Sequence, residues 1–114
     1  MLESSTRPWG RYQVLEDAPT HKVKCIWVTL GQRISYQRHE KRAEHWFILE
    51  GSGEAILDGK VIPIQKGDSL DIAVMQLHRI SNTGSTELVF IEVQTGIYFG
   101  EDDIERVEDD FGRA

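Results

Sequence analysis

A chain of 114 residues has room for one hydrophobic core, which excludes a two-domain enzyme within these residues. Hydrophobic residues at 39% and charged residues at 28% are ordinary for a globular protein and exclude a disordered one, and no apolar run approaches the length of a bilayer span. The formal charge of −6 is concentrated after Gly100, where seven acids face two arginines, and the nearly neutral remainder is a poor partner for nucleic acid.

In chain order, residues 1–20 read as an arm that packs across the body or across a partner subunit. This start lacks the apolar stretch of a secretory signal, and the lone Cys25 cannot form an internal disulfide, so the expected location is cytoplasmic. Residues 21–30 alternate with a period of two and are apolar on both faces, the pattern of a covered strand. Strands are expected next over residues 33–37 and 44–49. Arg33, Arg38, Lys41 and Arg42, close together here, read as a solvated face or as a local field for a small phosphate. Residues 54–57 and 61–64 flank Asp58-Gly59, a two-residue hairpin signal because both positions of such a turn favour positive φ. Strands over 69–72, 78–81 and 87–94 follow. Residues 100–114 form an acidic segment, read as a short turn or irregular helix capped by Asp102 and Asp103. Short strands without helical periodicity predict one all-β domain over 1–114, a small antiparallel β-barrel.

Four side chains in this frame point to a metal ion. Gln37 and His39 are two apart on a strand and project to one face. Glu44 opens the next strand, where a hairpin partner would bring its carboxylate to His39, and the same alternation turns His45 away. His78 begins a later strand and completes a set of two imidazoles, one carboxylate and one amide oxygen, suited to a divalent ion.

The spacing Gly31, Gln37, His39, Glu44, Gly51 resembles the first motif of the cupin superfamily, with Gln37 where many members carry histidine. Gly67, Ala73, Met75, His78, Asn82 resembles the second, with Ala73 and Met75 in place of its proline and second glycine. The resemblance implies a double-stranded β-helix, or jelly roll, with Met75 at the mouth of the site. Beyond the superfamily, Ser35 to His39 and Arg42 to Trp46 resemble type II phosphomannose isomerases. Arg7-Pro8-Trp9-Gly10, Glu92 to Gly96 and Gly100 to Ile104 resemble them too, as do Arg106, Asp109, Phe111, Gly112 and Arg113. In that family the cupin is often the C-terminal half of a bifunctional enzyme; no Gly-rich nucleotidyl-transfer segment occurs in these residues, so the isomerase half alone is expected.

The resemblance implies interconversion of mannose 6-phosphate and fructose 6-phosphate through an enediolate, with one divalent metal: zinc, or Mn, Co, Ni or Fe. Lys24 and Glu92, charged residues in apolar strands, are the candidate bases, since burial would bring their pKa values toward neutrality; each has solvent as its alternative. Arg42, Arg79 and Arg106 are candidates for the substrate phosphate, and Trp46 for stacking on the sugar or for plain core. Strict alternation would turn Arg79 outward unless a bulge intervenes. A sugar phosphate and a second copy of the chain are the expected partners. Two further classes stay open: a non-catalytic carbohydrate or sugar-nucleotide binding module, and a non-haem metal oxygenase.

Overall fold

The computed structural model describes residues 3–112, so Arg113 and the outermost ends of the expected arm and acidic segment lie outside the described residues. Eleven strands and no helix occur among the described residues: β1 (Ser4–Arg7), β2 (Gly10–Asp17), β3 (His21–Val28), β4 (Tyr36–Arg38), β5 (Arg42–Glu50), β6 (Ser52–Leu57), β7 (Lys60–Gln65), β8 (Ser69–Ile72), β9 (His78–Ser81), β10 (Leu88–Gly96) and β11 (Glu105–Glu108). They form two antiparallel sheets, a six-stranded one in the order β1-β2-β3-β10-β5-β8 and a five-stranded one in the order β11-β4-β9-β6-β7. The expected all-β, double-stranded β-helix is the fold found.

The hairpin at Asp58-Gly59 forms as its chemistry dictates. Both residues have positive φ, 46° and 82°, the geometry whose twist matches the flanking strands. Met75 is the other described non-glycine residue with positive φ, at 67°. It stands where the superfamily motif has glycine and holds the left-handed turn with a side chain, at a cost of about 1–2 kcal/mol. Its N–H donates to the His39 carbonyl at 2.8 Å, which ties the two halves of the motif together. The Met75 side chain is exposed.

Both ends form strands. The segment read as an arm is a hairpin: β1 and β2 pair in register and extend the six-stranded sheet through β3. The acidic segment is a turn and a strand, because β11 finds a free edge on β4. Asp103 caps no helix; its two carboxylate oxygens accept the backbone N–H groups of Glu40 and Lys41, each at 3.0 Å.

The core lies between the sheets, with Trp46, Ile48, Phe90, Leu88, Val28 and Ile80 all at most 1% exposed. Inward positions of the three central strands change character toward the same end of the sheet, on β5 one step later than on β3 and β10. On β3, Val28 and Ile26 give way to Lys24 and Lys22; on β10, Leu88 and Phe90 give way to Glu92 and Gln94; on β5, Ile48 and Trp46 give way to Glu44 and Arg42. The register lays these changes side by side, with Ile26, Phe90 and Ile48 in one row and Lys24, Glu92 and Trp46 in another. One end of the sandwich is therefore oily and the other charged.

Candidate metal centre and cavity

His39, Glu44 and His78 converge at the charged end, with ligand atoms within 4.8 Å of one another and all three side chains buried. They arrive by a different route from the expected hairpin. β4 and β5 belong to opposite sheets, so the chain crosses from one to the other at residues 39–41 and Glu44 faces His39 across the sandwich. His78 reaches the same point because β9 pairs with β4, Gln37 lying directly opposite His78. His45 is exposed and bonds Asp71, as alternation requires.

The donor set fits a divalent cation. A carbonyl can only accept, so Nδ1–H of His39 donates to the Asp103 carbonyl at 2.6 Å and Nδ1–H of His78 to that of Gln76 at 2.9 Å. This fixes both tautomers and turns the Nε2 lone pairs inward, the arrangement usual for metal-bound imidazole. The Nε2 atoms stand 3.2 and 3.8 Å from the Glu44 carboxylate oxygens, close to the spacing of donors that share one ion at about 2.1 Å. Buried Nε2 of His78 has no hydrogen-bond partner, a costly state that a cation would relieve. The expected fourth ligand, Gln37, lines the adjoining cavity and accepts a hydrogen bond from the Ser35 hydroxyl at 2.6 Å, which leaves its oxygen a second lone pair.

Electrostatics follow from burial. Desolvation, assisted by Arg42 and His78, lowers His39 to about 4 against the pull of Glu44. Burial alone would raise Glu44, but His78, Arg42 and His39 hold its carboxyl far below the usual range. Burial and the neighbouring Glu44 charge push Glu92 up to about 8.

A cavity of about 180 Å³ opens beside this cluster, with Gln37, His39, Lys24, Arg42, Glu92 and Arg106 in its wall. Lys24 and Glu92 thus face inward rather than solvent. Arg42 is buried; its Nε–H donates to Glu44 at 3.0 Å and its Nη2 stands 3.3 Å from Nε2 of His39. Two of the substrate candidates sit elsewhere. Arg79, 2% exposed, is held by the Ile34 carbonyl and by Glu108, away from the cavity. Trp46 is fully buried and offers no face to a sugar; its indole N–H donates to Glu44 at 3.0 Å, so it positions a ligand instead. The cavity also holds residues not singled out for a role beforehand: Arg7, Trp9 and Tyr12 from the N-terminal hairpin, and Glu101 from the stretch between β10 and β11. Lys22 and Gln94 could have been read from strand alternation with Lys24 and Glu92. For Glu101, 77 residues from its partner Lys24, no local signal exists.

This fold and this donor set define a cupin. Solved structures of like fold include a cupin-2 domain from Rhodospirillum rubrum (TM-score 0.73, 19% identity, 90% of this chain and 78% of that one). The capsular polysaccharide assembling protein CapF from Staphylococcus aureus is similar as well (TM-score 0.79, 20% identity, 95% of this chain and 34% of that one). More narrowly, the chain belongs to the family described as mannose-6-phosphate isomerase C-terminal, whose sequence model matches residues 1–109. Its relatives include the alginate biosynthesis protein AlgA of Pseudomonas aeruginosa, 43% identical over 108 residues, which are 95% of this chain and 22% of AlgA. The mannose-1-phosphate guanylyltransferase of Klebsiella pneumoniae is 41% identical over 108 residues, 95% of this chain and 23% of that enzyme. The chain spans between a fifth and a quarter of the length of these relatives. No helix of the described residues is long and apolar enough to cross a membrane.

Proposed function

We propose that this domain is a metal-dependent aldose–ketose isomerase that interconverts mannose 6-phosphate and fructose 6-phosphate through an enediolate, acting in the cytoplasm. The observation that carries the reading is the placement of the His39, Glu44 and His78 cluster at a cavity lined by Arg7, Lys24, Arg42 and Arg106. Family membership supports it. A divalent ion held by His39, Glu44, His78 and the Gln37 oxygen, zinc first by its affinity for imidazole, would polarise the sugar carbonyl as a Lewis acid.

The chain's own residues do the rest. Arginine and lysine side chains draw in the phosphate, Arg106 from β11 and Arg7 from the hairpin. Trp9, Tyr12, Ile26, Ile34 and Phe90 wall the cavity with apolar surface and exclude water from the reacting carbons. Trp46 and Arg42 fix the Glu44 carboxylate. Lys24 and Glu92 reach the cavity as groups that can move a proton.

The test is a coupled assay with mannose 6-phosphate on chelated protein refilled with Zn, Mn, Co, Ni or Fe. Turnover with at least one metal is expected. Saturable sugar-phosphate binding without product under every metal would replace the isomerase by a binding module, and iron-dependent oxygen uptake without turnover by an oxygenase.

The homodimer belongs to the same proposal, through the outer face of the six-stranded sheet. Outward positions of its central strands carry Val23, Trp27, Phe47, Val89, Ile91 and Val93, so apolar residues cover both sides of the sheet. Arg11 on β2 lies one strand in from the β1 edge and Asp71 lies on the opposite edge strand β8, and a two-fold axis along the strands brings each Arg11 side of the face toward the partner's Asp71 side. Strands about 4.8 Å apart with same-face residues about 6.7 Å apart give this face roughly 600–800 Å², near the area per partner of a standard interface.

A further inference from the structure

We propose that Glu101 is the catalytic base, the group that takes the proton from C2 of the open-chain sugar and returns it to C1. The assignment rests on the isomerase reading above and adds a residue to it.

Glu101 lies between β10 and β11, and its carboxylate enters the cavity with Oε2 2.9 Å from Lys24 Nζ and 3.6 Å from Arg42 Nη1. Arg42 also bonds Glu44, so a single guanidinium separates Glu101 from the metal-ligating carboxylate. With its side chain 42% exposed, Glu101 touches the cavity and solvent together, as a group that must exchange protons requires. The other two acids at this end are spoken for. Glu44 is enclosed by Arg42, Trp46 and the two imidazoles. Glu92 lines the cavity too, but it is closed off from solvent and accepts a hydrogen bond from Gln94 at 2.5 Å.

A base has to be ionised as well as near. The charged groups that face Glu101 are Lys24 and Lys22 from β3 and Arg42 from β5; together they hold its carboxyl below the usual range despite partial burial.

The step balances without an outside reagent. The C2–H bond breaks, its proton passes to Glu101, and its electron pair forms the C1–C2 double bond while the carbonyl oxygen on C1 takes the charge. The hydroxyl proton shifts from the oxygen on C2 to that on C1. The C2 oxygen then closes to a carbonyl, and the double-bond pair takes the proton on C1 from Glu101.

The experiment compares wild type, Glu101→Gln, Glu101→Asp and Lys24→Gln, each with melting temperature, metal content and mannose 6-phosphate affinity measured on the chelated protein by calorimetry. Glu101→Gln should keep the fold, the metal and the sugar-phosphate affinity within about threefold, and lose roughly 10²–10⁴-fold in kcat, the usual worth of general base catalysis. Glu101→Asp, which keeps the charge and shortens the reach, should fall between. In Lys24→Gln the acid limb of kcat should move to higher pH, because the ammonium that favours the ionised carboxylate is gone; a purely structural ion pair would leave that limb in place. An active wild type with Glu101→Gln within tenfold of it, or an unmoved limb, overturns the assignment alone. A wild type that binds sugar phosphate and never turns over removes the isomerase reading and this assignment with it.

Discussion

Met75 and Trp46 show how a single position departs from what its sequence neighbourhood suggests. Met75 keeps a turn that glycine would make without strain, held by its N–H to the His39 carbonyl. Trp46 looks like a sugar platform two residues after a ligand, yet its indole N–H serves that ligand. Glu92 gives a pH prediction. Its folded pKa of about 8 lies above the ordinary glutamate value of about 4.5, so the stability it contributes is complete below 4.5 and is lost as pH rises through 8. His39, lowered from 6.5 to about 4, acts oppositely: its contribution is complete above 6.5 and is lost as pH falls toward 4. The clean window is therefore pH 6.5 to 8. There the chelated protein should lose stability with rising pH, by up to ~2 kcal/mol at about 1.4 kcal/mol per pKa unit. Glu92→Gln should flatten that slope in denaturant titrations, and a wild-type curve already flat would contradict the burial argument.

Elements were legible wherever a local pattern specified them. The strands at residues 69–72 and 78–81 and the Asp58-Gly59 hairpin lie where alternation and turn chemistry put them. Pairing was not legible: the strands expected over 33–37 and 44–49 look like the two arms of a hairpin, but β4 and β5 diverge into opposite sheets. The same gap hid the strand that follows the expected turn in the acidic segment: Asp102-Asp103 suits a helix start, while β11 satisfies its backbone on the edge of β4. Asp103 then joins the crossing at residues 39–41 to the metal cluster, since its side chain takes two N–H groups and its carbonyl orients His39. Asp103→Ala should cost about 1–2 kcal/mol, the worth of a lost cap, and weaken metal binding through a looser His39. Urea midpoints with and without metal measure both; an effect on neither would detach this turn from the site.

At the scale of the whole molecule, the charge imbalance read from the sequence becomes architecture. Acids after Gly100 seek cations of the body: Asp110 takes Arg33, Glu105 takes Arg38, Glu108 takes Arg79 and Glu101 takes Lys24. Much of the basic group that read as a solvated face is thereby paired with the tail. The apolar outer face leads to a prediction of mass. Sedimentation at micromolar concentration should return two chains for the wild type and one for Phe47→Asp, a substitution at an exposed position that leaves the core intact. A wild-type mass of one chain would reject the proposed pairing.

Sequence alone determined the strands from His21 to Gln94 and singled out His39, Glu44 and His78 as residues that could hold a metal, because each is written in short-range spacing: a period of two, a turn dipeptide, a motif interval. Tertiary structure alone decided that Glu44 meets His39 from the opposite sheet, that Arg79 is diverted to Glu108, and that Glu101 enters the cavity beside Lys24. Those contacts join residues tens of positions apart, and the register that makes them is set by the packing of two sheets, a quantity no local pattern encodes.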